Sequence, residues 1–276
     1  MPALNLEAEY SNRARVTNST EIIARWAIEA AHARQHLPGQ RDVAYGTKPR
    51  QVFDMYAAVG TRSAPLVVYI HGGYWQRGHG RDYAFVAREL VARGVSVAIP
   101  SYTLCPDIRI AEIVDEIALF VSQLWVTTKV RPVLVGHSAG GHLAAMLMAR
   151  GGIDGAPKDL IRTAYGISGA YDLEPLIGTT LNDALRLDPT EARAVSPRRG
   201  PIPTAGRTFV AAAGGDESSE FIRQAREFAA HWTQHGVAAE CAIIPDTNHF
   251  TIVDELTRPD SPMLNRIVEL AQTVAS

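Results

Sequence analysis

The sequence predicts an α/β protein: a mostly parallel, twisted sheet of about eight strands with helices on both faces. Three observations predict it. Strand-like and helix-like segments alternate along most of the chain. Several strand candidates are unbroken apolar runs rich in β-branched residues, as expected where both faces of a strand are covered. The helix candidates repeat their apolar residues at i, i+3, i+4 and i+7. Alternation of this kind implies crossover connections and a parallel sheet, whose ligand crevice lies beyond the carboxyl ends of the strands.

The elements follow in order. Residues 1–40 contain a helix at 21–35 that stops before Pro38-Gly39. Residues 51–58 read as a strand, with Val52, Phe53, Met55 and Tyr56 supplying bulk. Leu66-Val67-Val68-Tyr69-Ile70 is a buried strand, and residues 95–100 and 132–135 are similar. Between them, residues 82–93 form a helix ended by Gly94 at the C′ position. Ile110, Ile113, Val114, Ile117, Val121 and Leu124 line one face of a long helix. A further helix covers 141–150. Strands at 163–168, 208–213 and 240–244 complete the set, with helices through Phe221–Trp232 positions and from Leu264 to Val274. Residues 171–206, rich in Pro, Gly, Thr and Asp, carry short helices at 182–187 and 189–194. They read as a lid inserted between strands, the alternative being an ordinary long connection.

Composition bounds the function. The chain has 276 residues, of which 46% are hydrophobic and 20% charged, enough apolar material for a full core. The net charge of −2 argues against a general nucleic-acid binder, which needs a basic excess. Cys105 and Cys241 lie far apart, so neither a disulfide scaffold nor a zinc module is expected. The first ten residues carry Glu7 and Glu9 and no apolar run, unlike a signal peptide. No apolar stretch approaches the roughly 20 residues that span a bilayer. A soluble cytoplasmic protein without a membrane partner is the expectation.

Four motifs carry chemistry. Gly136-His137-Ser138-Ala139-Gly140 stands between a strand and a helix, the context in which G-x-S-x-G presents a nucleophilic serine. By chance a chain of this length would hold about 0.1 such patterns. His71-Gly72-Gly73-Tyr74-Trp75 follows another strand directly, and its glycines permit backbone amides to approach an oxyanion. His249 follows the last predicted strand, in the chain order serine, acid, histidine. His137 and His142 rival it only by closeness in sequence to Ser138. The acid should follow the strand at 208–213, where Gly214-Gly215-Asp216-Glu217 offers two carboxylates. Glu217 is favoured and Asp216 is the alternative, since neighbours in a turn point in different directions. Tyr74, Trp75, Tyr102 and Tyr171 lie near strand ends, where they form either an aromatic substrate pocket or core.

HGGYW, GHSAGGHLA and the stretch from Glu220 to Phe228 resemble the kynurenine formamidase (arylformamidase) branch of the α/β-hydrolases, related to the hormone-sensitive-lipase-like esterases. The resemblance runs from about Tyr10 to Val253. It implies oxyanion amides at Gly73, Tyr74 and Ala139, and an acid three residues after the strand-end glycine, at Glu217. Vertebrate members carry aspartate there. It further implies a serine hydrolase of a small carboxylic ester or (form)amide, acting through an acyl-enzyme with catalytic Ser138, Glu217 and His249. No metal or cofactor is implied. Alternatives are a general short-chain carboxylesterase, a non-hydrolytic enzyme of the same fold, or a ligand-binding protein. Ser138, Glu217 and His249 span so much of the chain that one domain over residues 1–276 is expected, with a helical segment at 1–40 and the lid at 171–206. A homodimer is compatible with this reading.

Overall fold

A computed structural model describes residues 4–58 and 64–275. The readings over 1–10 and 1–276 therefore include positions outside the described residues. Short helices α1 (Leu6–Tyr10) and α2 (Asn12–Arg15) precede the longer α3 (Ser19–His36). The sheet has eight strands: β1 (Gly39–Ala44), β2 (Val52–Tyr56), β3 (Leu66–Ile70), β4 (Ser96–Pro100), β5 (Pro132–His137), β6 (Thr163–Ile167), β7 (Thr208–Gly214) and β8 (Ala238–Ile244). Their order is β1-β2-β4-β3-β5-β6-β7-β8. The pairs β1/β2 and β2/β4 are antiparallel, and every other pair is parallel.

Strand period sorts the core onto two faces. Leu66, Val68 and Ile70 point into one cluster, and Val67 and Tyr69 into the other. The first face is covered by α5 (Ile110–Thr128), α6 (Ala139–Ala149) and α9 (Ser219–Gln234). The second is covered by α3, α4 (Ala87–Ala92) and α11 (Pro262–Ala275). The helix expected at 82–93 begins as a 3-10 turn over Gly80–Val86 before α4, and Gly94 follows it at φ +79°. Between β6 and β7 lie a 3-10 turn over Glu174–Gly178 and the short α7 (Asn182–Leu185) and α8 (Pro189–Ala194). After β8, the four-residue α10 (Thr251–Asp254) leads toward α11.

One strand has no counterpart in the sequence reading. β1 reads GQRDVA and is largely exposed. An edge strand open to solvent needs no apolar alternation, so hydrophobic period cannot reveal it. Its place is held by backbone pairing to β2 and by Arg41, whose guanidinium donates to the carbonyls of Leu37, Arg34 and Met55. Among the described residues, no helix is long and apolar enough to cross a membrane.

Candidate active site

The carboxyl ends of β3, β5, β7 and β8 converge on one crevice. At the end of β5 the chain turns straight into α6, and Ser138 sits at the turn with φ +55° and ψ −118°. The turn is tight because two glycines let backbones touch. A Cβ on Gly140 would collide with the Ile70 carbonyl, and one on Gly136 with the Gly140 carbonyl. Ser138 caps α6, so the helix N-terminus and its free amides lie beside the hydroxyl.

His249 Nε2 lies 3.1 Å from Ser138 Oγ. His249 Nδ1 lies 2.8 Å from Glu217 Oε2. The other carboxylate oxygen, Oε1, accepts from Ser168 Oγ at 2.5 Å and from the Gly214 amide at 2.7 Å. Glu217 is buried and its orientation is set by these three donors. Asp216 is exposed, and its amide rather than its carboxylate bonds to the Thr247 carbonyl. Of the two neighbouring acids, the structure brings Glu217 to His249 and leaves Asp216 in solvent.

The remaining histidines near the serine are buried and held neutral. His137 Nε2 lies 2.8 Å from the His249 carbonyl and donates to it, tying the serine turn to the histidine loop. His142 receives the Trp75 indole N–H on Nδ1 at 3.3 Å and donates from Nε2 to the Val195 carbonyl at 2.6 Å. His71 is stacked on Tyr102 with ring centroids 4.3 Å apart and donates from Nδ1 to the Gly72 carbonyl. Burial lowers all three: His71 to about 3, His142 to about 4, and His137 well below the usual imidazole range. Above pH 6.5 these rings are neutral folded or unfolded, so they impose no penalty. As pH falls from 6.5 toward 4, the unfolded chain takes up protons that the folded chain refuses. Each ring then destabilises the fold by roughly 1.4 kcal/mol per pH unit. Thermal melts should therefore drop steeply between pH 7 and pH 5; an unchanged Tm across that interval contradicts the burial of neutral rings.

A cavity of about 560 Å³ opens over Ser138 and His249. Gly73 and Tyr74 line it, and their amides donate to no protein acceptor among the described residues. Ala139 is buried as the first residue of α6, directly after Ser138, and does not line the cavity. Trp75, Tyr102 and Tyr171, expected as pocket candidates, do not line it either. Each is fully buried elsewhere: Trp75 against His142, Tyr102 against His71, and Tyr171 stacked on Phe228 at 4.1 Å. A ring near a strand end is drawn into the core because burying it removes a large apolar area from water.

The walls come largely from a segment without a motif. Tyr10, Asn12 and Arg13 contribute from the N-terminal helices, and Ile23, Trp26 and Ala27 from α3. Tyr83 and Phe250 add further aromatic surface. From residues 171–206 only Thr180 and Leu181 reach the cavity. Two lining arginines, Arg13 and Arg77, make no ion pair and no guanidinium hydrogen bond among the described residues. No group of three or more His, Cys, Asp or Glu fit to hold a metal occurs among those residues.

Comparison with known proteins agrees with this architecture. A family model of the alpha/beta hydrolase fold matches residues 67–253. The kynurenine formamidase of Danio rerio is 30% identical over 268 residues, covering 91% of this chain and 90% of that one. Among solved structures, a protein of Silicibacter sp. TM1040 provisionally described as a thioesterase superposes with a TM-score of 0.87 at 30% identity, covering 99% of this chain and all of that one. A hormone-sensitive lipase from a metagenome library superposes at 0.71 with 18% identity, covering 95% of each chain, a likeness of fold. The chain belongs to the α/β-hydrolase fold family, as a hydrolase of ester or amide bonds.

Proposed function

We propose that this protein is a serine hydrolase that cleaves a small aryl formamide of the N-formylkynurenine type through an acyl-enzyme. The observation that carries the proposal is the unbroken series from Ser138 Oγ to His249 to Glu217, at 3.1 Å and 2.8 Å, facing one cavity. In this reading Ser138 attacks the carbonyl carbon while His249 Nε2 takes the hydroxyl proton. Glu217 accepts from Nδ1–H, which keeps the basic nitrogen toward the serine and balances the imidazolium. The amides of Gly73, Tyr74 and Ala139 hold the developing oxyanion. His249 returns the proton to the leaving amine or alcohol. Water, deprotonated by the same imidazole, then releases the acid and frees Ser138. Residues 1–276 act as one catalytic domain, with residues 171–206 contributing part of the cavity wall.

Two features favour a formylated aryl amine over a simple ester. Trp26, Tyr83 and Phe250 give the cavity wall an aromatic, apolar surface suited to a planar ring. Arg13 and Arg77 offer unpaired guanidinium groups to a substrate carboxylate. The similarity to a kynurenine formamidase over most of both chains points the same way.

The test is a substrate panel read together with a covalent trap. N-formylkynurenine should show a higher kcat/KM than 4-nitrophenyl acetate or butyrate. A 4-nitrophenyl dialkyl phosphate should inactivate the enzyme and leave its phosphoryl group on the Ser138 peptide. A butyrate ester that outperforms the formamide moves the substrate class to short-chain esters. A phosphoryl group on any other residue overturns the nucleophile.

A further inference from the structure

The turn that follows β3 is held in an unfavourable backbone conformation. Gly73, Tyr74 and Trp75 have φ of +116°, +52° and +56° in succession. Glycine tolerates this; tyrosine and tryptophan do so only when their surroundings hold them there. Trp75 is held by full burial, by its indole bond to His142 and by the Cys105 amide on its carbonyl. Tyr74 is held by its hydroxyl. That hydroxyl donates to the Tyr10 carbonyl at 2.5 Å and accepts from Asn12 Nδ2 at 2.9 Å.

Tyr10 and Asn12 are themselves anchored. Asn12 is 3% exposed. The Tyr10 hydroxyl donates to Glu220 Oε1 at 2.8 Å and accepts from Gln224 Nε2 at 2.7 Å. Glu9 accepts from Ser219 Oγ and from the Glu220 amide. Residues 9–12 thus form a strap from the start of α9, just beyond Glu217, to the side chain of Tyr74. The same strap lines the cavity.

We infer that Asn12 is a positioning residue: with the Tyr10 carbonyl it grips the Tyr74 hydroxyl and so aims the Tyr74 amide at the oxyanion. The inference rests on the serine-hydrolase reading above. Tyr74 cannot relax toward ordinary φ without carrying its ring out of this grip, so the grip and the amide direction are coupled. Loosening it should weaken transition-state binding and leave ground-state binding nearly intact.

The experiment measures Asn12→Leu, Tyr74→Phe and the double variant with 4-nitrophenyl acetate. Each single change should lower kcat on the order of 10- to 100-fold, less than or equal to deletion of one oxyanion donor. KM should stay within about twofold, and the double variant should be no worse than the weaker single variant. Affinity for a boronic acid that adds to Ser138 should fall by the same factor as kcat. Tyr74→Phe keeps the half-buried ring, so it carries the test if Asn12→Leu fails to fold. Wild-type kcat in Tyr74→Phe, a loss confined to KM, or additive losses would each overturn the inference. If Ser138 proves dispensable, the serine reading itself fails; if Ser138 is essential while Tyr74→Phe is normal, only the strap's role falls.

Discussion

Ser138→Ala is expected to lower kcat by on the order of 10⁶, with the fold and KM preserved. The expectation follows from how the residue is placed. Its backbone is held at φ +55° by β5 on one side and α6 on the other, with the Ser138 amide bonded to the Ile167 carbonyl and its own carbonyl accepting from the His142 amide. Alanine fits that backbone as well as serine does, so the scaffold should survive. What disappears is the proposed nucleophile; among the described residues no other hydroxyl or thiol bonds to His249. Neither cysteine can replace it: Cys105 is buried in the core with its thiol pushed up to about 11, and Cys241 lies on edge strand β8. The cavity and the amides proposed for the oxyanion would remain, leaving a residual acceleration of about 10³–10⁴ over water. Steady-state assays of enzyme purified free of host esterases are the check. Retention of more than a small fraction of wild-type turnover would remove Ser138 from the mechanism.

Glu217→Gln is expected to cost about 10³–10⁴ in kcat, while Asp216→Asn should change it less than twofold. The two residues are adjacent in sequence and alike in charge, so the contrast isolates geometry. In Glu217 one oxygen is committed to Ser168 and Gly214 and the other faces His249 Nδ1. A glutamine keeping the first pair of bonds would turn its NH₂ toward Nδ1. His249 would then have to carry its proton on Nε2, the nitrogen that accepts from serine in the proposed mechanism. Asp216 points into solvent, where a neutral amide alters little. Parallel kcat measurements on the two variants decide the matter; a large loss at Asp216 with a mild one at Glu217 would reverse the assignment.

Much of the fold and the centre of the site are legible in the sequence because they obey short-range rules. The buried strands that begin at 66 and 132 announce themselves by the apolar runs at 66–70 and 132–135, since a strand covered on both faces has no polar side. Ser138 is legible because a strand that turns at once into a helix admits little but glycine around the turn. His249 follows from chain order. Edge strand β1 is not legible, since its stability comes from pairing and from Arg41. Trp75, Tyr102 and Tyr171 stay open between pocket and core in the sequence, because a residue near a strand end can face either and chain position does not say which; the structure puts all three in the core.

By itself, the sequence determined the alternating architecture, the serine turn, the glycine turn after β3 and the pair of carboxylates from which the proposed acid is drawn. Each depends on residues within a few positions of one another, where backbone sterics and hydrophobic period act directly. Tertiary structure brings the favoured Glu217, not Asp216, to His249, and it alone decided that residues 7–13 and α3 wall the cavity and that the Tyr74 hydroxyl is held by Tyr10 and Asn12. Those outcomes join positions more than sixty residues apart in the Tyr74 grip, and more than two hundred apart where Tyr10 meets Glu220. Only closure of the whole sheet brings such groups within hydrogen-bonding distance, and no local pattern records the encounter.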